Sequence, residues 1–411
     1  MIIPRGSYLT ELITRKHNGL IKVVTGVRRC GKSFLLFKLF KEHLLSCGVP
    51  PQNIIEIQLD DRAYKDLRDP DACDRFVRDR VTAKPTYVLI DEVQLMPDFE
   101  DVLNGFLHID NLDTYVTGSN SRFLSSDVIT EFRGRGDEIR VHPLTFSEYH
   151  EARGGEWDDD WNDYMTFGGM PHVATLNDDR DKAAYLSRLF TETYLRDIIE
   201  RHHVRNEDEL SDLVNVIASA IGSLTNPTKL ESTFKSRKHV SLSAATIKKY
   251  LDYLEDAFLI SHAKRYDVKG RNYINTPLKY YFEDVGLRNA RLNFRQQEET
   301  HIMENVLYNE LIARGFQVDV GLLGIRERGV RKRVEIDFIA NEGSRRYYVQ
   351  SALSLPTPEK RAQEERPLLA VNDAFKKVIV IGGSHRPSRD ERGVVTIGLK
   401  QFLLDPHSLD T

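Results

Sequence analysis

The chain has 411 residues, enough for two or three domains with substantial hydrophobic cores. Its 40% hydrophobic and 29% charged content is that of a globular protein, and a net charge of −4 excludes a global attraction to nucleic acid while leaving local basic patches open. No apolar run approaches a membrane span, the first residues lack a signal-peptide core, and Cys30, Cys47 and Cys73 match no zinc spacing, so a reducing cytoplasmic setting without a membrane partner is expected.

Residues 1–20 predict a short lead-in helix, with Tyr8, Leu9, Leu12 and Ile13 at helical spacing. The stretch from Val23 to Ser33 then reads as strand, glycine-bounded loop and helix start, with the spacing G-x-x-x-x-G-K-S of a phosphate-binding loop. Gly26 and Gly31 let the backbone curl, so that N–H groups along Val27, Arg28, Arg29 and Cys30, and on to Phe34 at the helix N-terminus, can face phosphates. Lys32 would reach the β- and γ-phosphates, and the Ser33 hydroxyl would ligate magnesium. The alternative is a glycine turn that happens to precede a helix.

Residues 54–59 alternate like a strand ending in Asp60-Asp61, and 70–81 carry a helical pattern. Tyr87-Val-Leu-Ile-Asp91-Glu92 is an apolar strand ending in two carboxylates, an arrangement that makes most sense beside a cation. Asp91 would face the magnesium and Glu92 would polarise an attacking water; otherwise the pair is a plain strand end. A further β-branched strand, 114–117, runs into Gly-Ser-Asn-Ser, where Ser119 or Asn120 would orient water or sense the γ-phosphate, or cap a helix. In Phe132-Arg-Gly-Arg-Gly136, Arg133 or Arg135 reads either as an arginine finger acting on a neighbour's nucleotide or as a solvated basic turn.

This series, closed by Pro143-Leu-Thr-Phe-Ser-Glu-Tyr149, resembles a prokaryotic group of AAA+ P-loop ATPases with an N-terminal AAA domain and a C-terminal domain of unknown function. The resemblance covers nearly the whole chain. It implies an α/β core, ATP binding with Mg2+ and hydrolysis, but no substrate. The Gly168-Gly169-Met170-Pro171 turn looks like the same group's turn into its helical lid, and Arg196 on a following helix is a candidate second sensor, or else a surface ion pair.

Residues 209–285 resemble a winged helix, with Ser243 capping a third helix and two β-like runs, 259–266 and 272–282, forming the wing. From Thr228 to Glu299 there are 14 lysines and arginines against 9 acids, so Lys235, Arg237, Lys238, Lys248, Lys249, Arg265, Lys269 and Arg271 are candidate phosphate contacts. Lid packing or protein contact is the competing use. Farther on, Glu304 on a helix, Asp337 on a strand and Gln350 on the next strand follow the order of a restriction-endonuclease-like fold. Ala352 stands where that chemistry needs a lysine, so an inactive binding or assembly module is expected.

The expected fold is α/β: 1–150 an AAA+ parallel sheet, 151–223 a helical lid, 224–299 a winged helix and 300–411 a small nuclease-like α/β module. The expected function is Mg2+-dependent ATP hydrolysis, releasing ADP and coupling nucleotide state to double-stranded DNA or a protein partner within a homo-oligomer. The alternatives are a slow ATP-state switch and, after it, a metal-dependent nuclease.

Overall fold

The computed structural model describes residues 2–118, 134–238, 242–327 and 330–410. The chain divides into two compact units, Met1–Pro143 with Glu255–Phe258 and Leu144–Leu254 with Leu259–Thr411. The first unit is built on a parallel sheet of β1 (Ile21–Thr25), β2 (Ile54–Gln58), β3 (Thr86–Asp91), β4 (Leu112–Thr117) and β5 (Gly136–Arg140), in the order β2-β3-β4-β1-β5. Central parallel strands lose both faces to the core, and every residue of β1 and β3 is buried.

After α1 (Gly6–Thr14), a helix over 32–46 (α2) follows the glycine loop, and its middle, Leu35–Phe40, widens to π geometry. Helices α3 (Pro70–Arg78) and α4 (Phe99–Phe106) share one apolar core with β1 to β4 through Cys73, Val77, Phe99 and Phe106. The charged exception in β1 is Lys22, which is fully buried and paired with Asp113. Asp113 also accepts from the Tyr115 hydroxyl at 2.9 Å and the His17 main-chain N–H at 3.0 Å. The buried charges are thus paired and hydrogen-bonded, which is what makes them tolerable.

The second unit begins at Leu144. Helices α5 (Phe146–Arg153), α6 (Trp157–Phe167), α7 (179–202), α8 (Glu207–Ser219), α9 (227–238) and α10 (Ala244–Asp256) precede most of a nine-stranded mixed sheet. Its strands are β6 (Leu224–Thr225), β7 (Ile260–Asp267), β8 (Asn272–Phe282), β9 (Gln317–Glu327), β10 (Val330–Glu342), β11 (Arg345–Ala352), β12 (Lys376–Ile381), β13 (Ser388–Arg389) and β14 (Val394–Gly398). Their order is β13-β14-β12-β11-β10-β9-β7-β8-β6, and α11 (Val285–Arg291), α12 (Glu299–Ala313), α13 (Pro358–Leu369) and α14 (Leu399–Leu404) complete the unit.

This sheet runs across the expected boundary between 299 and 300. The hairpin β7–β8 has the place in sequence of a wing, yet β7 pairs in parallel with β9 from Arg265↔Val320 to Asp267↔Leu322. Residues 151–223, 224–254, 259–299 and 300–411 fall in one compact unit, with Glu255–Phe258 assigned to the first. Arg265, a candidate phosphate contact, is buried because its strand is interior to the sheet.

The Gly168-Gly169 turn is held by Asp284. Its buried carboxylate accepts N–H groups of Gly169 at 2.7 Å and Leu287 at 2.9 Å. Burial pushes its pKa up to about 6, with the N–H donors of Leu287, Gly169 and Gly286 pulling the other way. Gly286 opens α11 against the turn, and a Cβ there would stand 1.9 Å from the Phe167 carbonyl oxygen. Gly286→Ala is expected to cost at least about 2 kcal/mol of stability by overpacking against main chain. Urea unfolding checks this against Gly324→Ala, whose Cβ would meet nothing within 4 Å.

Candidate functional site

The loop after β1 folds as its glycines require. Gly26 and Gly31 take φ of 134° and 100°, and Arg29 joins them at 67°. A Cβ at Gly26 would lie 2.1 Å from the Val141 carbonyl oxygen, so the first glycine is fixed by close approach as well as by conformation. Cys30 donates its thiol to the same carbonyl at 3.3 Å. Lys32 is buried, and its ammonium donates to the carbonyls of Gly26 at 2.9 Å and Val27 at 3.1 Å, inside the curl of the loop. Gly31 stands at the N-cap of α2, so Lys32, Ser33 and Phe34 make its first turn, with Phe34 partly exposed.

Asp91 ends β3 beside this turn. Its Oδ1 accepts from Ser33 Oγ at 3.0 Å and from Thr117 Oγ1 at the end of β4. Thr117 accepts in turn from the Glu92 N–H at 3.1 Å, and Glu92 Oε2 accepts from Gln94. Burial pushes the Asp91 pKa up, the Thr117 and Ser33 hydroxyls oppose that, and the charges of Glu92 and Asp60 add to it. The structure therefore brings Gly26 to Ser33, Asp91 and Glu92 to one edge of the sheet. A hydroxyl next to a carboxylate that lacks a lysine or arginine within 4.0 Å among the described residues suits a hard divalent cation with oxygen ligands.

Ser119, Asn120 and Arg133 lie outside the described residues. Arg135 is exposed just before β5, whose far end, at Arg140, pairs with Thr25 where the loop begins. Five residues of strand separate the two ends, about 16 Å. Arg196 makes an exposed ion pair with Glu200 at 2.7 Å, as its alternative reading has it.

Two loop supports escaped the sequence reading. Arg5 donates to the carbonyls of Cys30 at 3.2 Å and His142 at 2.6 Å, tying the lead-in segment to the loop. Nothing in sequence links residues so far apart. Thr117 had a signal, because it ends a β-branched strand at the level of Asp91.

Residues 18–150 match the family model described as an AAA domain, and residues 158–298 match a domain of unknown function. The chain is 33% identical over 410 residues to an uncharacterized protein of Haemophilus influenzae, covering 98% of this chain and 99% of that one. The chain belongs to this family of AAA+ P-loop ATPases. A second family relative, an uncharacterized protein of Methanocaldococcus jannaschii, is 27% identical over 373 residues, covering 87% of this chain and 79% of its own. Among solved structures, ORC1 of Aeropyrum pernix in complex with DNA aligns at 13% identity and a TM-score of 0.29, over 71% of this chain and 92% of that one. No described helix of this AAA+ protein is long and apolar enough to cross a membrane.

The second unit of the AAA+ protein brings Glu304, Asp337 and Gln350 together. Gln350 Oε1 accepts from the Asp337 N–H at 3.4 Å, and its Nε2 donates to Glu364 at 3.0 Å. A lysine absent from the expected triplet arrives from β8 instead. The buried Lys279 ammonium is 2.8 Å from Glu304, 2.9 Å from Glu335 and 3.9 Å from Asp337. Burial lowers its pKa, but the charges of Glu304, Asp337 and Glu335 outweigh this and hold it above the usual lysine value. No described group of three or more His, Cys, Asp or Glu is arranged to hold a metal ion. An internal ammonium neutralises these carboxylates.

Asp337 feels both effects. Burial first, and then the Glu304 charge, pushes its pKa from 3.8 up to about 8, against the pull of Lys279 and the Ser351 N–H. An acid with a raised folded-state pKa holds its proton more tightly folded than unfolded. Its contribution is therefore fully favourable below pH 3.8 and is lost as pH rises through about 8. Asp337→Asn removes that dependence and keeps an oxygen for the Ser351 N–H, which Asp337 accepts at 2.9 Å. The variant's stability relative to wild type should rise between about pH 5 and about pH 9 in denaturant titrations. A pH-independent difference would contradict the assignment.

Proposed function

We propose that this AAA+ protein is a Mg2+-dependent ATPase that couples its nucleotide state to a DNA or protein partner. The observation that carries the reading is the Ser33 hydroxyl 3.0 Å from Asp91 at the start of the helix behind a glycine-bounded loop. In this reading the main chain from Gly26 to Phe34 holds the triphosphate, with N–H groups and the positive end of α2 facing the anion. Lys32 is the loop's mobile charge and exchanges carbonyl partners for phosphate oxygens. Ser33 and Asp91 would hold Mg2+, which supplies charge neutralisation at the phosphates. Glu92 accepts the proton of the attacking water, while Thr117 and Gln94 fix its main chain and carboxylate.

Arg135 is exposed and about 16 Å along the strand from the loop of its own subunit, so it serves as a finger only in a second copy. That makes a homo-oligomer the active form, with Arg133 the other candidate. Exposed Lys248 and Lys249 on α10, a helix capped by Ser243, suit phosphate contacts in a winged-helix arrangement of α8 to α10 with β7 and β8. The nuclease alternative is disfavoured by Lys279, whose ammonium stands among the carboxylates it would need.

Purified protein should hydrolyse ATP, with Glu92→Gln lowering kcat at least about 100-fold while retaining ATP binding, and Lys32→Ala losing both. Arg135→Ala should lose turnover yet regain part of it when mixed with Glu92→Gln, because each subunit supplies what its neighbour lacks. Duplex DNA that stimulates turnover marks DNA as the partner, and indifference points to a protein. ATP bound without turnover at any protein concentration would overturn the ATPase reading in favour of a switch.

A further inference from the structure

Two adjoining cavities lie in the second unit, away from the Lys279 cluster. One, of about 470 Å3, is lined by Lys269 and Arg271 from the β7–β8 turn, Arg346 from β11, Tyr266 and Phe375. The other, of about 700 Å3, is lined by Lys377, Arg389 and Arg392 and again by Phe375. Phe375 and Asp373 form part of the wall of both. Phe375 is 41% exposed, unusual for a phenylalanine ahead of an otherwise well-packed strand. The Arg346 guanidinium carbon sits 5.3 Å from its ring centre and 5.7 Å from that of Tyr266.

The charges in this groove remain available. Lys269 donates to the Gly324 carbonyl at 3.1 Å, Lys377 to the Asp373 carbonyl at 3.4 Å, and Arg346 to the Asn341 side-chain oxygen at 2.7 Å. Among the described residues, no carboxylate lies within 4.0 Å of the cationic ends of Lys269, Arg271, Arg346, Lys377 or Arg389. Arg392 is the exception, paired with Glu365 and Asp390. The shared acid, Asp373, already accepts the Tyr348 hydroxyl at 2.6 Å and the Phe375 N–H at 3.1 Å.

We infer that this groove binds single-stranded nucleic acid, with Phe375 stacking on a base and the flanking cations meeting phosphates on either side. Cations on both sides of an exposed aromatic ring match a strand that alternates charged backbone with flat bases. A duplex keeps its base faces stacked on one another, so it offers Phe375 nothing. An acidic peptide would satisfy the cations without using the ring. The inference is independent of the ATP chemistry, because none of these residues belongs to the first unit.

Fluorescence anisotropy of the full chain tests it, using labelled twelve-residue oligothymidylate, a duplex of equal length and an oligoglutamate at about 50 to 200 mM salt. Oligothymidylate should bind most tightly, Phe375→Ala should weaken it about tenfold, and Phe375→Trp should restore it. Arg271→Gln and Arg389→Gln should each reduce the slope of log affinity against log salt by about 0.7, whereas Lys84→Gln, at an exposed position of the first unit, should leave it unchanged. These exposed charge variants decide the matter even if Phe375→Ala folds poorly. Absence of single-strand binding, duplex or oligoglutamate binding as tight as oligothymidylate, or indifference to the arginine variants would overturn the inference.

Discussion

A carboxylate buried at the carboxyl edge of a parallel sheet sets the terms for the first unit. Asp91 ends a strand buried along its whole length, and it receives hydroxyls from Ser33 and Thr117. Burial and the charges of Glu92 and Asp60 all work against its ionised form. Two hydroxyl donors are weak compensation for such a charge, so the site gains when a cation arrives. The sheet order puts β1 and β4 side by side and β4 next to β3, which brings the glycine loop, Thr117 and Asp91 to one edge. Loop closure then depends on Gly26, whose missing Cβ lets Val141 approach, and on Arg5, which clamps the Cys30 carbonyl.

The second unit solves a similar problem in the opposite way. Buried Glu304 gathers with Asp337 and the partly exposed Glu335, but Lys279 reaches them from β8, with β9 and β7 between it and β10 in the sheet order, to offset their charge. Comparable carboxylate clusters thus acquire different chemistry from one residue. In the proposed reading the first would take an exchangeable cation, whereas the second carries a permanent one in Lys279. Removing one partner of such a buried network typically costs about 3–5 kcal/mol, so Lys279 ties β8, α12 and β10 together as well as blocking a metal.

The nucleotide edge was legible because its determinants are local. Gly26, Gly31, Lys32 and Ser33 fall within eight residues, and the apolar run before Asp91 announces a buried parallel strand. Arg5 and Lys279 were not legible, since each acts on groups at least 25 residues away along the chain. The continuity of the sheet through the C-terminal half was hidden for the same reason. A hairpin in the place of a wing looks alike in sequence whether its outer edge is free or paired, and the pairing of β7 with β9 joins residues about 55 positions apart. Arg265 and Arg196 show the limit on single charged residues, one buried in a sheet and the other spent on a surface pair.

The most direct measurement is calorimetric titration of ATP into wild type and Asp91→Asn, each with and without Mg2+. The account predicts that Mg2+ tightens ATP binding to wild type, that Asp91→Asn loses this gain, and that its metal-free affinity equals or exceeds that of wild type because a repelling charge has gone. An Asp91→Asn variant with an undiminished Mg2+ effect would contradict the central role given to this carboxylate.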